Sequence, residues 1–253
     1  MRVGLIDLGD KLPNLALMKI SSFHKAQGDV VLLHDFTPSQ VDKVYISVVF
    51  TKHRKQAEKL LQIYPDAIVG GSGWDTTSRL PLEIESCRPD YDLYTVDFVA
   101  SRLKGRTKGR REKAQRIVDS GLGRSSRGCG RSCAFCLVPR VEGSLQQATR
   151  IEDLLNPRSK TLTLLDNNLC MDPLALEKLA FCRDNGIILN LTQGLDVRAL
   201  TDDLVQGLSE VRHFGNIHFA WDQAPQERMV FEGIKRLSRW IKPYNQTCFV
   251  LTG

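Results

Sequence analysis

The stretch GRSSRGCGRSCAFCLVPR, residues 123–140, carries three cysteines in a CxxxCxxC pattern, at Cys129, Cys133 and Cys136. Three thiols this close in sequence do not have the spacing of independent core cysteines. One tight loop can direct them at a common point, which suits a metal ion or an iron-sulfur cluster. Three ligands also leave one coordination position open. The pattern therefore predicts a metal centre with an exchangeable fourth position.

A structural zinc site is the alternative, and it would need a fourth ligand from elsewhere in the chain. Cys170, Cys182 and Cys248 are candidates by count. Zinc ribbons usually pair two CxxC knuckles across a spacer, and the sequence has no second knuckle. The spacing favours a cluster site over a zinc site.

Downstream of the cysteines, apolar runs alternate with helical patterns, as in βα units. Each run leads into polar residues, and in a barrel of parallel strands these would gather on the face where active sites lie. We expect the cysteine loop on that same face. The predicted strands cover residues 161–168, 187–198, 217–222 and 247–253. The apolar helix positions between them are Leu176, Leu179 and Ala180, then Leu204, Val205 and Leu208, then Val230, Ile234, Leu237 and Ile241.

Residues 1 to about 70 show the same alternation and predict a doubly wound parallel sheet, which binds ligands beyond the carboxyl ends of its strands. Neither GxGxxG nor GxxxxGK[ST] is present there. The glycines Gly70, Gly71 and Gly73 fit either the close approach of a ligand or a tight turn. The predicted strands are 3–8, 30–34, 43–50 and 67–71, and the helical faces between them carry Ala16, Ile20 and Phe23, then Ala57, Leu60, Leu61 and Tyr64.

A basic run, SRLKGRTKGRREKAQRI at residues 101–117, separates the two patterns. Because it contains no aromatic residue, it could hold phosphates but offers no surface on which bases could stack. A solvated, mobile insertion is the alternative interpretation. The predicted organisation is a first domain at 1–88, a basic linker or insertion at 89–121 and a second domain at 122–253.

The composition is that of a globular protein, with 42% hydrophobic and 25% charged residues. No apolar run approaches the roughly 18 residues that would span a bilayer. Seven cysteines, three of them clustered, do not resemble a secreted disulfide framework, and the N-terminal run is typical of a strand and not of a signal peptide. These features favour the cytoplasm and exclude a membrane-inserted protein. The net charge of +6 is compatible with a polyanionic partner.

The chain ends at Gly253 directly after an apolar run. The last strand of a barrel needs a partner and a cover. We therefore expect the reading frame to be truncated at this point and the barrel to be incomplete.

Phe135 lies directly before the third cysteine, with SSRGC at 125–129 and VPRVEG at 138–143 on either side of the motif. This combination resembles the radical S-adenosylmethionine (radical SAM) superfamily. With YDLY at 91–94 and the βα domain before it, the chain resembles the subgroup in which a cobalamin-binding-like domain precedes the barrel. The resemblance covers nearly all of the chain. It implies an α/β protein with an N-terminal Rossmann-like doubly wound parallel sheet, followed by a partial (β/α) barrel of the radical SAM type.

The resemblance also implies which residues bind the cofactors. Cys129, Cys133 and Cys136 would hold three irons of a 4Fe-4S cluster, whose open iron would chelate SAM. Reductive cleavage of SAM would give a 5'-deoxyadenosyl radical that acts on a substrate. Phe135 would lie beside the adenine of SAM.

Polar residues at the predicted strand ends would complete the SAM site. By the resemblance, Asp166 and Asn167 would contact the amino group, Arg198 the carboxylate and Asp222 the ribose. For Arg198 and Asp222 the alternative is a salt bridge or a loop cap at the rim of the barrel. The full set implied at the strand ends is Asp166, Asn167, Gln193, Asp196, Arg198 and Asp222.

Partners and further cofactors follow from the same resemblance. An external electron donor of the flavodoxin or ferredoxin kind would reduce the cluster, and the basic run could dock a nucleic acid. Cobalamin is a further possible cofactor, although the first domain lacks the DxHxxG stretch that usually ligates it. Two alternatives remain open. One is cobalamin-dependent methyl transfer, or methylthiolation of RNA or protein. The other is a non-catalytic iron-sulfur or zinc protein that binds nucleic acid.

Overall fold

The computed structural model describes residues 1–104 and 108–250. Positions 105–107 of the basic run and the last three residues of the predicted strand 247–253 lie outside the described residues. The chain divides into two compact units, Met1–Asp119 and Ser120–Gly253. Residues 89–119 therefore group with the first unit.

The first unit is built on a sheet of four parallel strands. Its strands are β1 Arg2–Leu8, β2 Val30–Leu33, β3 Lys43–Val48 and β4 Ile68–Gly70. Its helices are α1 Leu15–Ala26, α2 Arg54–Ile63, α3 Leu82–Glu85, α4 Val96–Arg102 and α5 Arg110–Asp119, with 3-10 turns at Pro38–Gln40 and Thr51–His53. The strands lie in the order β2-β1-β3-β4.

Side chains that alternate along β1 supply the core of this unit. Ile6 and Leu8 pack in one cluster with Ala57 of α2. Val3 and Leu5, which are out of step with them, are also buried. Burial of both sets explains why the strand is apolar at most positions, as expected of a parallel sheet covered on two faces.

The basic run contributes parts of two helices. α4 begins after Thr95, whose hydroxyl accepts a hydrogen bond from the Phe98 backbone N–H at 3.2 Å. α5 buries Ala114 and Val118 and exposes Arg111, Lys113 and Arg116. α5 is thus a packed helix with a basic outer face, and the proposal that this run binds phosphates stays a prediction.

The second unit carries a second parallel sheet and two smaller ones. Its strands are β5 Gly121–Gly123, β6 Ser126–Arg127, β7 Gln146–Gln147, β8 Thr161–Leu164, β9 Ile188–Leu191, β10 Arg212–His213, β11 Ile217–Trp221 and β12 Gln246–Val250. Its helices are α6 Val138–Val141, α7 Ala175–Asp184, α8 Asp202–Glu210 and α9 Glu227–Ser238, with 3-10 turns at Ile151–Leu154, Leu169–Met171, Val197–Ala199, Ala224–Gln226 and Pro243–Asn245.

Neighbouring strands of the second unit largely follow the order of the chain. The larger sheet has the parallel order β10-β9-β8-β5, and β11 pairs with β12 in parallel. The loop after β9 reaches β11 through Leu195, whose N–H donates to the His218 carbonyl at 2.7 Å. The carboxyl ends of β8 and β9 therefore lie side by side at one edge of the sheet.

The predicted α/β class with parallel sheets is confirmed at this level. Within residues 1–104 and 108–250, the strands of the second unit do not close into a barrel. The predicted apolar faces of α8 and α9 lie in one core cluster, whereas Leu176 of α7 is exposed. Among the described helices, none has the length and hydropathy needed to cross a bilayer.

A substitution at Gly233 tests how α9 packs on the 3-10 turn Val197–Ala199 after β9. A β-carbon at Gly233 would lie 2.2 Å from the Val197 carbonyl oxygen. We expect Gly233→Ala to lower the free energy of unfolding in urea by at least about 2 kcal/mol, because the helix must move off the turn.

Gly207 in the middle of α8 is the matched control. Its β-carbon would meet the flexible end of the Leu179 side chain at 3.3 Å. Gly207→Ala should stay within about 1 kcal/mol of the wild type, since the better helix propensity of alanine offsets the contact. Equal effects of the two substitutions would contradict this packing.

Candidate functional site

The three cysteines lie on a loop whose two ends are joined. β6 and β7 pair in antiparallel fashion on either side of it. The Cys129 N–H donates to the Gly143 carbonyl at 3.3 Å. Gly128 has a φ of 79°, and a β-carbon there would lie 2.3 Å from the Ser144 carbonyl oxygen. The loop therefore requires glycine directly before its first cysteine.

Hydrogen-bond donors surround the thiols, which are all half-buried. Cys129 Sγ accepts from the Arg131 N–H at 3.3 Å and from Asn168 Nδ2 at 3.4 Å. The Arg198 guanidinium lies beside the Cys133 thiol, which raises the pKa of Arg198 further after the larger effect of Asp196. Hydrogen-bond donors to sulfur tune the properties of iron-sulfur centres.

The three thiols share one loop but are not arranged as a finished metal site. Across the part of the chain that the structure describes, no three His, Cys, Asp or Glu side chains are grouped so that they could hold a metal ion. The Cys136 N–H donates to the Cys133 carbonyl at 3.0 Å, which closes a turn between these two cysteines. Metal sites are rarely preformed without the metal, and binding supplies part of the ordering energy.

The buried Asp166 carboxylate anchors the start of the loop. It accepts from the N–H groups of Ser125 and Ser126 at 2.7 and 3.0 Å. It also accepts from both serine hydroxyls, at 2.9 Å for Ser126. Burial raises the pKa of Asp166 above its usual range, and the hydrogen bonds from the serines oppose that shift. With four donors from the chain, the carboxylate acts as an anchor, and SAM contact by Asp166 remains only a prediction.

Asp196 holds the middle of the loop to the end of β9. Its Oδ2 accepts from Arg131 Nε at 2.8 Å, and its Oδ1 accepts from Arg198 Nε at 2.6 Å. Burial opposes ionisation of Asp196, but the hydrogen bonds from Arg198 and Arg131 outweigh it and hold the pKa below its usual range. Asp196 also caps the following 3-10 turn through the Arg198 N–H. These contacts match the salt bridge and loop cap that the sequence left open as the alternative.

Asp172 holds the far end of the loop. Its Oδ1 accepts from Gln147 Nε2 of β7 at 2.7 Å, and its Oδ2 pairs with Lys178 of α7 at 2.5 Å. Lys178 also donates to Gln147 Oε1 at 2.7 Å. The β7 end of the hairpin is thereby fixed to the first turn of the helix after β8.

Asn168 is the residue of this site that sequence reasoning did not single out. It is 4% exposed, and its Nδ2 points to Cys129 Sγ and to Asp196 Oδ2, each at 3.4 Å. Its Oδ1 is buried without a hydrogen-bond partner. An unpaired buried acceptor costs about 1–3 kcal/mol, so it marks a place where a donor is missing. Its neighbour Asn167 instead accepts from Arg124 at 3.1 Å.

The other predicted site residues lie apart from this network. Phe135 is 51% exposed on the cysteine loop, and Gln193 is also exposed. Asp222 is half-buried directly after β11. The pKa of the Cys248 thiol is raised, mainly by burial and to a smaller extent by the Asp222 charge. Their proposed contacts with SAM stay predictions.

The three cysteines considered as a fourth zinc ligand differ in environment. Burial raises the pKa of the Cys170 and Cys182 thiols to about 12 in each case. Both are therefore protonated at neutral pH, whereas zinc binds thiolate. Cys248 is exposed. These environments disfavour a structural zinc site completed by Cys170 or Cys182.

No protein-family model and no curated protein matches this chain.

The Asp166 anchor predicts that Asp166→Asn weakens the second unit. One carboxylate oxygen becomes an amide that faces N–H and O–H donors, so we expect a loss of about 2–4 kcal/mol in the free energy of unfolding. Urea denaturation measures it.

Asn167→Ala is the matched control, because among the described residues the Asn167 side chain hydrogen-bonds the half-buried Arg124 alone. It should cost less than about 1 kcal/mol. A neutral Asp166→Asn substitution would contradict the anchoring role.

Proposed function

We propose that the protein is a radical SAM enzyme with a 4Fe-4S cluster on Cys129, Cys133 and Cys136. The observation that carries the proposal is the cysteine loop itself, held by buried carboxylates beside the carboxyl ends of β8 and β9. Parallel α/β sheets place ligand sites at this edge. The substrate of the radical is not assigned.

The donor set fits an iron-sulfur cluster with one open iron. Three thiols come from a single loop, and burial raises the pKa of the Cys170 and Cys182 thiols to about 12, which disfavours either as a fourth thiolate ligand. Cluster binding is expected to draw the three sulfurs together, since the loop is not closed around a metal. When bound and reduced, such a cluster supplies the electron that cleaves SAM to methionine and a 5'-deoxyadenosyl radical.

The surrounding residues would position SAM without taking part in electron transfer. The unpaired Asn168 Oδ1 is suited to accept a hydrogen bond from an ammonium group, so we assign the amino-group contact to Asn168 before Asp166 or Asn167. Arg198 bonds Asp196 through Nε and lies beside Cys133. Its guanidinium could also pair with the SAM carboxylate.

The finer architecture is part of the same proposal. A partial (β/α) barrel would contain successive parallel neighbours, as β5, β8 and β9 are. It would continue through the bridge from Leu195 to β11 and then to β12. The order β2-β1-β3-β4 of the first unit is compatible with a Rossmann-like, doubly wound sheet. An external flavodoxin-like or ferredoxin-like donor would reduce the cluster.

Anaerobic reconstitution followed by incubation with SAM and dithionite tests the proposal. We expect absorbance near 400 nm, roughly where thiolate-bound iron absorbs, and formation of 5'-deoxyadenosine. Cys133→Ala should abolish both, because the cluster loses a ligand. Cys248→Ala removes an exposed thiol outside the loop and should change neither.

Asn168→Ala separates SAM binding from cluster binding. It should leave the cluster absorbance unchanged and weaken SAM binding about tenfold or more. Asn167→Ala should leave both the absorbance and SAM binding unchanged. Cluster formation that survives Cys133→Ala, or a wild-type protein that binds zinc and no iron, would overturn the proposal.

A further inference from the structure

The carboxyl edge of the first sheet is the place where this strand order usually binds a ligand. From β1 the chain moves outward to β2 and then returns past β1 to β3. The connections therefore run in opposite directions on either side of β1 and β3, which opens a crevice at the ends of these two strands. Cobalamin, which the family resemblance allows, would need such a crevice to be free.

The segment 94–102 bonds to the strand ends at this crevice. The Tyr94 hydroxyl donates to Asp7 Oδ2 at 2.8 Å and accepts from the Asn14 N–H at 3.1 Å. At the other end of α4, Arg102 donates to Asp7 Oδ2 at 2.8 Å and to the carbonyl oxygens of Asp7 and Asp10. Both ends of α4 are thus attached to the end of β1.

Asp7 is the centre of these contacts and is 1% exposed. Its Oδ1 accepts from the Gly9 N–H at 2.7 Å, and its Oδ2 serves Tyr94 and Arg102. Asn14 continues the network to β3 by donating to Ser47 Oγ at 2.8 Å. Each of these groups has a partner within the chain, in contrast to Asn168 of the second unit.

The end of β2 joins the same network through His34. Its Nε2 accepts from the Asp7 N–H at 2.9 Å, and its ring packs 5.1 Å from Phe98 of α4. Burial, with the nearby Arg102 charge, lowers the pKa of His34 and keeps the ring neutral, as an accepting nitrogen requires. His34 has a φ of 64°, a conformation that costs energy for a residue other than glycine. The fold therefore accepts backbone strain to make this contact.

In the glycine loop after β4, backbone atoms of the same chain occupy the space beside Gly71 and Gly73. A β-carbon at Gly71 would lie 2.5 Å from the Val48 carbonyl oxygen, and one at Gly73 would lie 2.4 Å from the Phe50 carbonyl carbon. These glycines let the loop pack against the end of β3. Of the two interpretations that the sequence allowed, the tight turn accounts for them.

We infer that α4, held by Tyr94 and Arg102, is the resident occupant of the ligand crevice in the first unit. The residues present do not fit cobalamin, because the polar groups that would meet it already bond to the chain. The first unit is therefore not a corrinoid-binding domain, and methyl transfer through cobalamin is not a reaction of this protein. This inference is independent of the cluster chemistry proposed for the second unit.

Hydrogen-deuterium exchange of the full chain tests whether α4 is held in place. We expect slow exchange across residues 96–102 in the wild type. Arg102→Gln should accelerate it about a hundredfold, because Asp7 loses a buried charge partner. Tyr94→Phe removes one hydroxyl and keeps the ring, so it should accelerate the exchange about tenfold. This second variant keeps the test valid if Arg102→Gln does not fold.

Arg111→Gln is the matched control, since Arg111 of α5 pairs with Asp97 of α4 where both side chains are more than 70% exposed. It should leave the exchange unchanged. Fast exchange of α4 in the wild type, or identical exchange in the Tyr94→Phe and Arg111→Gln variants, would overturn the inference.

Hydroxocobalamin binding tests the consequence directly. Wild-type protein passed over a desalting column with excess hydroxocobalamin should retain none of its visible absorbance, with or without a reconstituted cluster. Stoichiometric retention would overturn the inference and leave the cluster proposal standing. Loss of cluster formation with no cobalamin retained would overturn only the proposed function.

Discussion

Three buried carboxylates at the carboxyl ends of β8 and β9 hold the cysteine loop in place. Asp166 accepts four hydrogen bonds from Ser125 and Ser126 at the start of the loop. Asp196 pairs with Arg131 in its middle, and Asp172 bonds Gln147 beyond its end. Buried carboxylates are stable only when they are bonded this fully. The sheet edge thus determines where the three thiols can lie.

The two units use the same edge of a parallel sheet in different ways. In the first unit, the buried Asp7 and its neighbours are all bonded to Tyr94, Arg102 and the loops of the same chain. In the second unit, Asn168 Oδ1 has no partner and the thiols are half-buried. An unpaired buried hydrogen-bond acceptor beside reactive groups is typical of a binding site. This contrast is the reason why we propose the second unit as the place of the chemistry.

Apolar periodicity predicted the four strands of the first unit and β8, β9, β11 and β12 of the second, because burial in a parallel sheet leaves a direct mark on sequence. The short strands β5, β6, β7 and β10 have too few residues to show such a pattern, and they were not predicted. The helix α4 and the role of Arg102 were missed, since an arginine within a basic run gives no sign that it pairs with Asp7, which is 95 residues away. Of the consecutive residues Asp166, Asn167 and Asn168, only the first two were predicted to contact SAM. Backbone angles, such as the ψ of 81° at Asn168, decide which of these side chains has an unpaired polar atom. These angles cannot be predicted from a run of consecutive polar residues.

We propose that this anchored loop binds a cluster whose open iron takes SAM. Electron paramagnetic resonance of the reduced, reconstituted protein, recorded before and after addition of SAM, tests it most directly. The account predicts roughly four irons per chain and a reduced-cluster signal that changes when SAM binds. A protein that holds no iron, or a cluster signal that SAM leaves unchanged, would contradict it.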